Sequence, residues 1–262
     1  MSVVTIEGEF VHYEVLGRGR PVFFLHGWIG SWRYWVPAMQ AASMGYRAYA
    51  IDLWGFGDTT KRPPMYSLEK QVKLLDDFLE ALGIGKIAII GHGLGAVVAL
   101  AYAAGHESIV DRVMLASLPI GPNTVNPRLR TSPVPELADW LLGRLPATEA
   151  ARLDAPKADH QAIFTSLADL DAINTLEMAQ ALTTSCLLVH GQNDPAIQTP
   201  ALEIVDGLPQ QTHTIVFDQA GHFPMLDDPN KFNRLLGDFL SLSPGESPRQ
   251  LQLKEEWKRR VR

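Results

Sequence analysis

The sequence predicts an α/β fold, a mostly parallel sheet with helices on both faces. Three observations predict it. Short apolar runs of strand character recur along the chain, helix-length segments separate them, and only residues 121–182 break the alternation. Parallel neighbours need a long crossover between them, and a helix is the usual one.

The 262 residues suit one large α/β domain, and with 46% of them apolar the core is sizeable. Charged residues make up 20% and are spread through the chain, which argues against disorder. The net charge of −6 and the lack of any extended basic face argue against nucleic acid. No cluster of Cys and His has metal-ligand spacing, so no metal or cofactor is expected. The one cysteine, Cys186, sits in the apolar run TSCLLVHG and reads as a buried structural thiol. No segment is long enough to span a bilayer and no apolar signal core opens the chain, so a cytoplasmic setting is expected.

VVTIEG and EFVHYEVL alternate in polarity about a Glu/Gly turn and predict a hairpin. PVFFLHG is continuously apolar, as a strand buried on both faces must be. A helix-length segment, SWRYWVPAMQAAS, leads to the next strand, YRAYAIDLWG. From Ser67, the residues Leu68, Val72, Leu75, Phe78, Leu79 and Leu82 recur at helical spacing until Gly83 ends the run. KIAIIG is a short strand, and LGAVVALAYAAG is a helix of small residues able to lie close on a sheet. RVMLASLP, SCLLVHG and HTIVFDQ are further strands. Phe232, Leu235, Leu236, Phe239 and Leu240 mark a last amphipathic helix.

Residues 1–120 and 183–242 therefore form the α/β core. Residues 121–182, Pro-rich and helical in pattern, are far longer than an ordinary connection and are expected to form a helical lid. Residues 243–262 form a basic tail, expected to be solvated or loosely docked.

The decisive segment is KIAIIGHGLGAVVAL: strand, sharp turn, helix, with glycines at 91, 93 and 95. It resembles the G-x-S-x-G nucleophile elbow of the α/β-hydrolase fold. Four other segments carry the same resemblance: PVFFLHGWIGS, DLWGFGDT, LLVHGQNDP and QAGHFPMLDDP. In this resemblance Asp194 is the triad acid, His222 the triad base, and the backbone N–H groups of Trp28 and Leu94 the oxyanion hole. His26 takes a structural turn role. His92 is expected to point away from the cleft, with substitute catalyst as the lesser reading.

The departure from the pattern is Gly93, which stands where the serine belongs. Glycine tolerates the elbow backbone but supplies no attacking atom. An acyl-enzyme is thereby excluded. Three readings follow: an ester- or lactone-type hydrolase scaffold that has lost its nucleophile, a non-covalent enzyme using His222 and Asp194 as general base, or a pseudoenzyme that binds a ligand or partner. The pocket is expected to take a small molecule and to be apolar, lined by Trp140, Phe164 and Phe223, with Trp28, Leu141, Ile163 and Leu167 nearby.

Overall fold

The computed structural model describes residues 2–243 and 245–253. Residues 254–262, and with them most of the basic segment LQLKEEWKRRVR, lie outside that description.

The hairpin of β1 (Ser2–Ile6) and β2 (Glu9–Gly17) turns at Glu7 and Gly8, both at positive φ. Next come β3 (Arg20–Leu25), α1 (Val36–Ala42), β4 (Tyr46–Ile51), α2 (Leu68–Leu82), β5 (Ile87–His92), α3 (Leu94–Gly105) and β6 (Val110–Ala116). Five helices then precede β7 (Ser185–Gly191): α4 (Arg128–Thr131), α5 (Val134–Leu142), α6 (Glu149–Asp154), α7 (His160–Leu170) and α8 (Thr175–Ala181). The chain closes with α9 (Leu202–Asp206), β8 (Thr212–Phe217), α10 (Pro224–Asp227) and α11 (Pro229–Leu240).

The eight strands form one sheet in the order β1-β2-β4-β3-β5-β6-β7-β8. β2 pairs antiparallel with β1 and β4, and every other pairing is parallel. The central strands are buried on both faces, which accounts for their unbroken apolar sequence: every residue of β5 is buried. The helices start and stop on local chemistry. Ser67 accepts the Lys70 N–H at the head of α2, and Gly83 ends that helix in the left-handed conformation. The five apolar residues of the last amphipathic segment are all buried in α11.

α3 lies unusually close to the sheet, and two glycines permit it. A Cβ on Gly91 would stand 2.3 Å from the Gly95 carbonyl oxygen, and one on Gly95 would stand 2.2 Å from the Leu25 carbonyl oxygen. The small residues of α3 continue this seating, and most of them are buried.

The helices between β6 and β7 are fastened to the loops at the sheet's C-terminal edge by side chains. Asp154 accepts from the Ser31 hydroxyl at 2.5 Å and from Arg33 Nε at 2.9 Å. The Tyr66 hydroxyl donates to Asp159, and the Leu68 N–H donates to Asp169. Among the described residues no helix is long and apolar enough to cross a membrane.

Candidate active site

β5 delivers the chain to Gly93, which turns it sharply into α3 with φ 50° and ψ −112°. The turn is built from backbone. The Gly93 N–H donates to the Ala116 carbonyl, the Gly95 N–H to that of His26, and the Gly93 carbonyl accepts from Ala96 and Val97. A positive φ of 50° is rare for a residue with a side chain, and glycine adopts it at least cost.

β7 and the chain after β8 bring Asp194 and His222 together. His222 Nδ1 lies 2.9 Å from Asp194 Oδ2 and 3.1 Å from Oδ1, with both side chains buried. A carboxylate only accepts, so Nδ1 carries the proton and Nε2 is the nitrogen left for chemistry. The carboxylate is held on its other sides as well. The N–H groups of Ala196 and Ile197 donate to Oδ1 at 2.8 and 3.0 Å, and the Ser117 hydroxyl donates to Oδ2 at 2.8 Å. Burial by itself would push the Asp194 carboxyl up. The His222 imidazole and the two N–H donors outweigh it and hold the carboxyl far below its ordinary value.

Ser117 was not foreseen. It follows β6 at φ 48°, rare for a residue with a side chain, and is fully buried. Its partner is 77 residues away, and nothing in LASLP marks it out.

His92 is spoken for at both nitrogens. Nε2 lies 2.8 Å from the His222 carbonyl oxygen, which can only accept, so Nε2 carries the proton. Nδ1 then accepts from the Tyr34 hydroxyl at 2.9 Å, and that hydroxyl accepts the Gly27 N–H at 2.6 Å. Burial, then the neighbouring His222, keeps the His92 pKa well below the usual range, so it stays neutral. His92 thus ties the loop of His222 to the loop of Gly27 and has no free nitrogen to act as a catalyst. His26 is likewise used up, accepting the Leu53 N–H and facing the Gly27 carbonyl.

Leu94 follows Gly93 in the chain, and neither its N–H nor that of Trp28 has an acceptor among the described residues. The Trp28 side chain is buried over the elbow, and its Nε1–H donates to Ser166 on α7 at 3.0 Å.

The pocket residues fare unequally. Phe223 is buried, its ring edge-on to His222 and packed on Tyr34 and His92, so it backs the histidine. Trp140 is half-buried, with the Arg128 guanidinium 4.7 Å above its ring. Phe164 corrects the expectation: it is 57% exposed and lines no interior space. On α7 the inward stripe is Ile163, Ser166, Leu167 and Leu170, and Phe164 falls outside it. Cys186 is buried, and burial pushes its thiol up to about 12, so it is no nucleophile at neutral pH.

His12, Asp52 and Asp58 bring ligand-type atoms within 4.8 Å of one another. Those atoms are already engaged. Asp52 accepts from His12 Nδ1 and from the N–H groups of Trp32 and Asp58, and the Asp58 carboxylate faces Lys157. The group holds the turn after β4 in place.

With this geometry in view, the comparisons with known proteins agree on the family. A family model described as "Alpha/beta hydrolase family" matches residues 22–235, well over half of the chain. The chain belongs to the alpha/beta hydrolase family. The soluble epoxide hydrolase of Corynebacterium sp. (strain C12) is 33% identical over 115 residues, 43% of this chain. That match spans only 40% of the epoxide hydrolase's own length. A 2-hydroxy-6-oxo-6-(2'-aminophenyl)hexa-2,4-dienoic acid hydrolase from Metapseudomonas resinovorans is 24% identical, covering 91% of this chain and 90% of that protein. Among solved structures, a serine-to-glycine mutant of the N-acyl homoserine lactonase AidH, complexed with N-hexanoyl homoserine lactone, has a TM-score of 0.79 at 19% identity. It covers 91% of this chain and 96% of that one.

Proposed function

We propose that this chain is a small-molecule hydrolase scaffold of the ester or lactone type in which the covalent route is closed and His222, oriented by Asp194, serves as general base. The observation that carries this reading is the paired hydrogen bond from His222 Nδ1 to both Asp194 oxygens beside an elbow with no side chain. A binding role alone requires neither the pair nor the donors that hold Asp194 in place.

The chemistry then runs without an acyl-enzyme. His222 Nε2 takes a proton from water, and the resulting hydroxide adds to the ligand's carbonyl carbon. The negative charge that develops on the carbonyl oxygen falls to the N–H groups of Trp28 and Leu94, both free of other acceptors. Collapse breaks the bond to the leaving oxygen, which receives the proton from Nε2. A lactonase of this fold, AidH, is complexed with N-hexanoyl homoserine lactone as a serine-to-glycine mutant.

The test is a rate assay on an activated p-nitrophenyl ester and a simple lactone. The protein should hydrolyse them without a burst and should not be labelled by a fluorophosphonate. Its rate should lie on the order of a million-fold below that of an intact triad. His222→Ala should bring the rate down to that of buffer. A stoichiometric fluorophosphonate adduct, or a rate unchanged in His222→Ala, would overturn the proposal.

A further inference from the structure

Gly93 is more than a deletion. A Cβ built on it would lie 3.2 and 3.3 Å from Cε3 and Cζ3 of the Trp28 indole and 3.4 Å from Gly27 Cα. Carbon atoms prefer about 3.5–4.0 Å, so the indole would have to give by a few tenths of an ångström to admit a Cβ at position 93. A serine would need still more room for its hydroxyl.

The indole is not free to step aside. Trp28 is 1% exposed. Its Nε1–H donates to Ser166, and the Ser166 hydroxyl proton is directed at the Ala162 and Ile163 carbonyls of α7. Ser166 therefore presents a fixed lone pair, and moving the indole leaves a buried N–H without a partner. The ring is held between the elbow below and α7 above. Gly93, Leu94, His222 and Phe223 are buried as well.

We infer that Trp28 decides what residue 93 can carry: its indole is seated on Gly93 and held there by Ser166, so this turn accepts glycine and penalises any side chain. The glycine is the seat of the indole. This deepens the proposed function and rests on it for the chemistry, though the seating itself is a packing claim. It follows that Gly93→Ser alone should make a poor nucleophile, because its Cβ meets the indole at 3.2 Å. Trp28→Ala keeps the backbone N–H that faces the carbonyl oxygen and clears the space.

Two measurements test this. The first is a thermal-stability cycle with Gly93→Ala, Trp28→Ala and the double variant. The positive φ at position 93 penalises alanine equally in both backgrounds, so the cycle isolates the contact with the indole. The drop in Tm caused by Gly93→Ala should be at least about twice as large with Trp28 present as without it. Equal drops overturn the seating. If Trp28→Ala does not fold, Trp28→Leu replaces it in the same cycle. The second is fluorophosphonate labelling of Gly93→Ser against Gly93→Ser/Trp28→Ala. The double variant should label about ten-fold faster or more, a barrier difference of about 1.4 kcal/mol. Equal labelling of the two overturns the role of Trp28. If neither labels while the stability cycle still shows coupling, the seating stands and the ester-type reading of the pocket falls.

Discussion

The Gly93 turn and the helices over it meet at the sheet's C-terminal edge but are held by different forces. The elbow turn is set by backbone hydrogen bonds and by glycines that let α3 lie against the sheet. The α6–α7 region reaches the same edge through individual polar side chains: Asp154 on Ser31 and Arg33, Asp159 on Tyr66, Asp169 on the head of α2, and Ser166 on Trp28. Close packing gives no ground to a single added atom. Polar fastenings can be released one at a time, and by pH. The α6–α7 region is therefore the more readily released of the two.

The sharpest way to break the comparison is Gly95→Ala. The added Cβ meets the Leu25 carbonyl at 2.2 Å with backbone on both sides, so nothing flexible can yield. A loss on the order of 4 kcal/mol or more is expected, read by chemical denaturation. A loss under about 1 kcal/mol would mean that α3 is not pressed on the sheet as described.

Asp154→Ala is the intermediate case. It removes the partner of Ser31, Arg33 and Lys157 and should cost about 1–2 kcal/mol. Its effect should appear as faster proteolytic cleavage within residues 140–171, with the core spared. The same fastening is pH-dependent. Burial alone would raise the Asp154 carboxyl, but the Ser31, Arg33 and Lys157 hydrogen bonds outweigh it and lower its pKa. A lowered folded value stabilises above the ordinary carboxylate range and is lost as pH falls through it. Cleavage of the native protein should therefore rise below about pH 4, and Asp154→Ala should flatten that rise. Cleavage focused in the core would contradict the division.

The smallest effect is expected at Phe164. Its side chain is exposed, so Phe164→Gln should change stability by no more than about 0.5 kcal/mol and leave ester turnover unchanged. A marked loss of turnover would return Phe164 to the pocket.

The strands and the two helices with clear apolar stripes were legible because each rests on a repeat, and the pairing of Asp194 with His222 was legible through the resemblance to the α/β-hydrolase pattern. A buried strand must be apolar, and a strand end in a parallel sheet points to the functional edge. Gly93 is a covalent fact, and its consequence for acyl transfer needed no coordinates. Ser117 and Tyr34 were not legible. Their partners lie far away in sequence, and a serine or a tyrosine in a strand–loop segment carries no spacing signal.

By itself the sequence determined the order of the elements, the glycine turn and the identities of Gly93, Asp194 and His222. These depend on local periodicity, on backbone tolerance and on side-chain identity. Only the tertiary structure decided that Trp28 lies on Gly93, that Ser166 holds it from 138 residues away, and that Phe164 faces out. Those outcomes depend on how the α6–α7 region docks on the core. Docking is a sum of contacts between distant surfaces, and no local pattern encodes it.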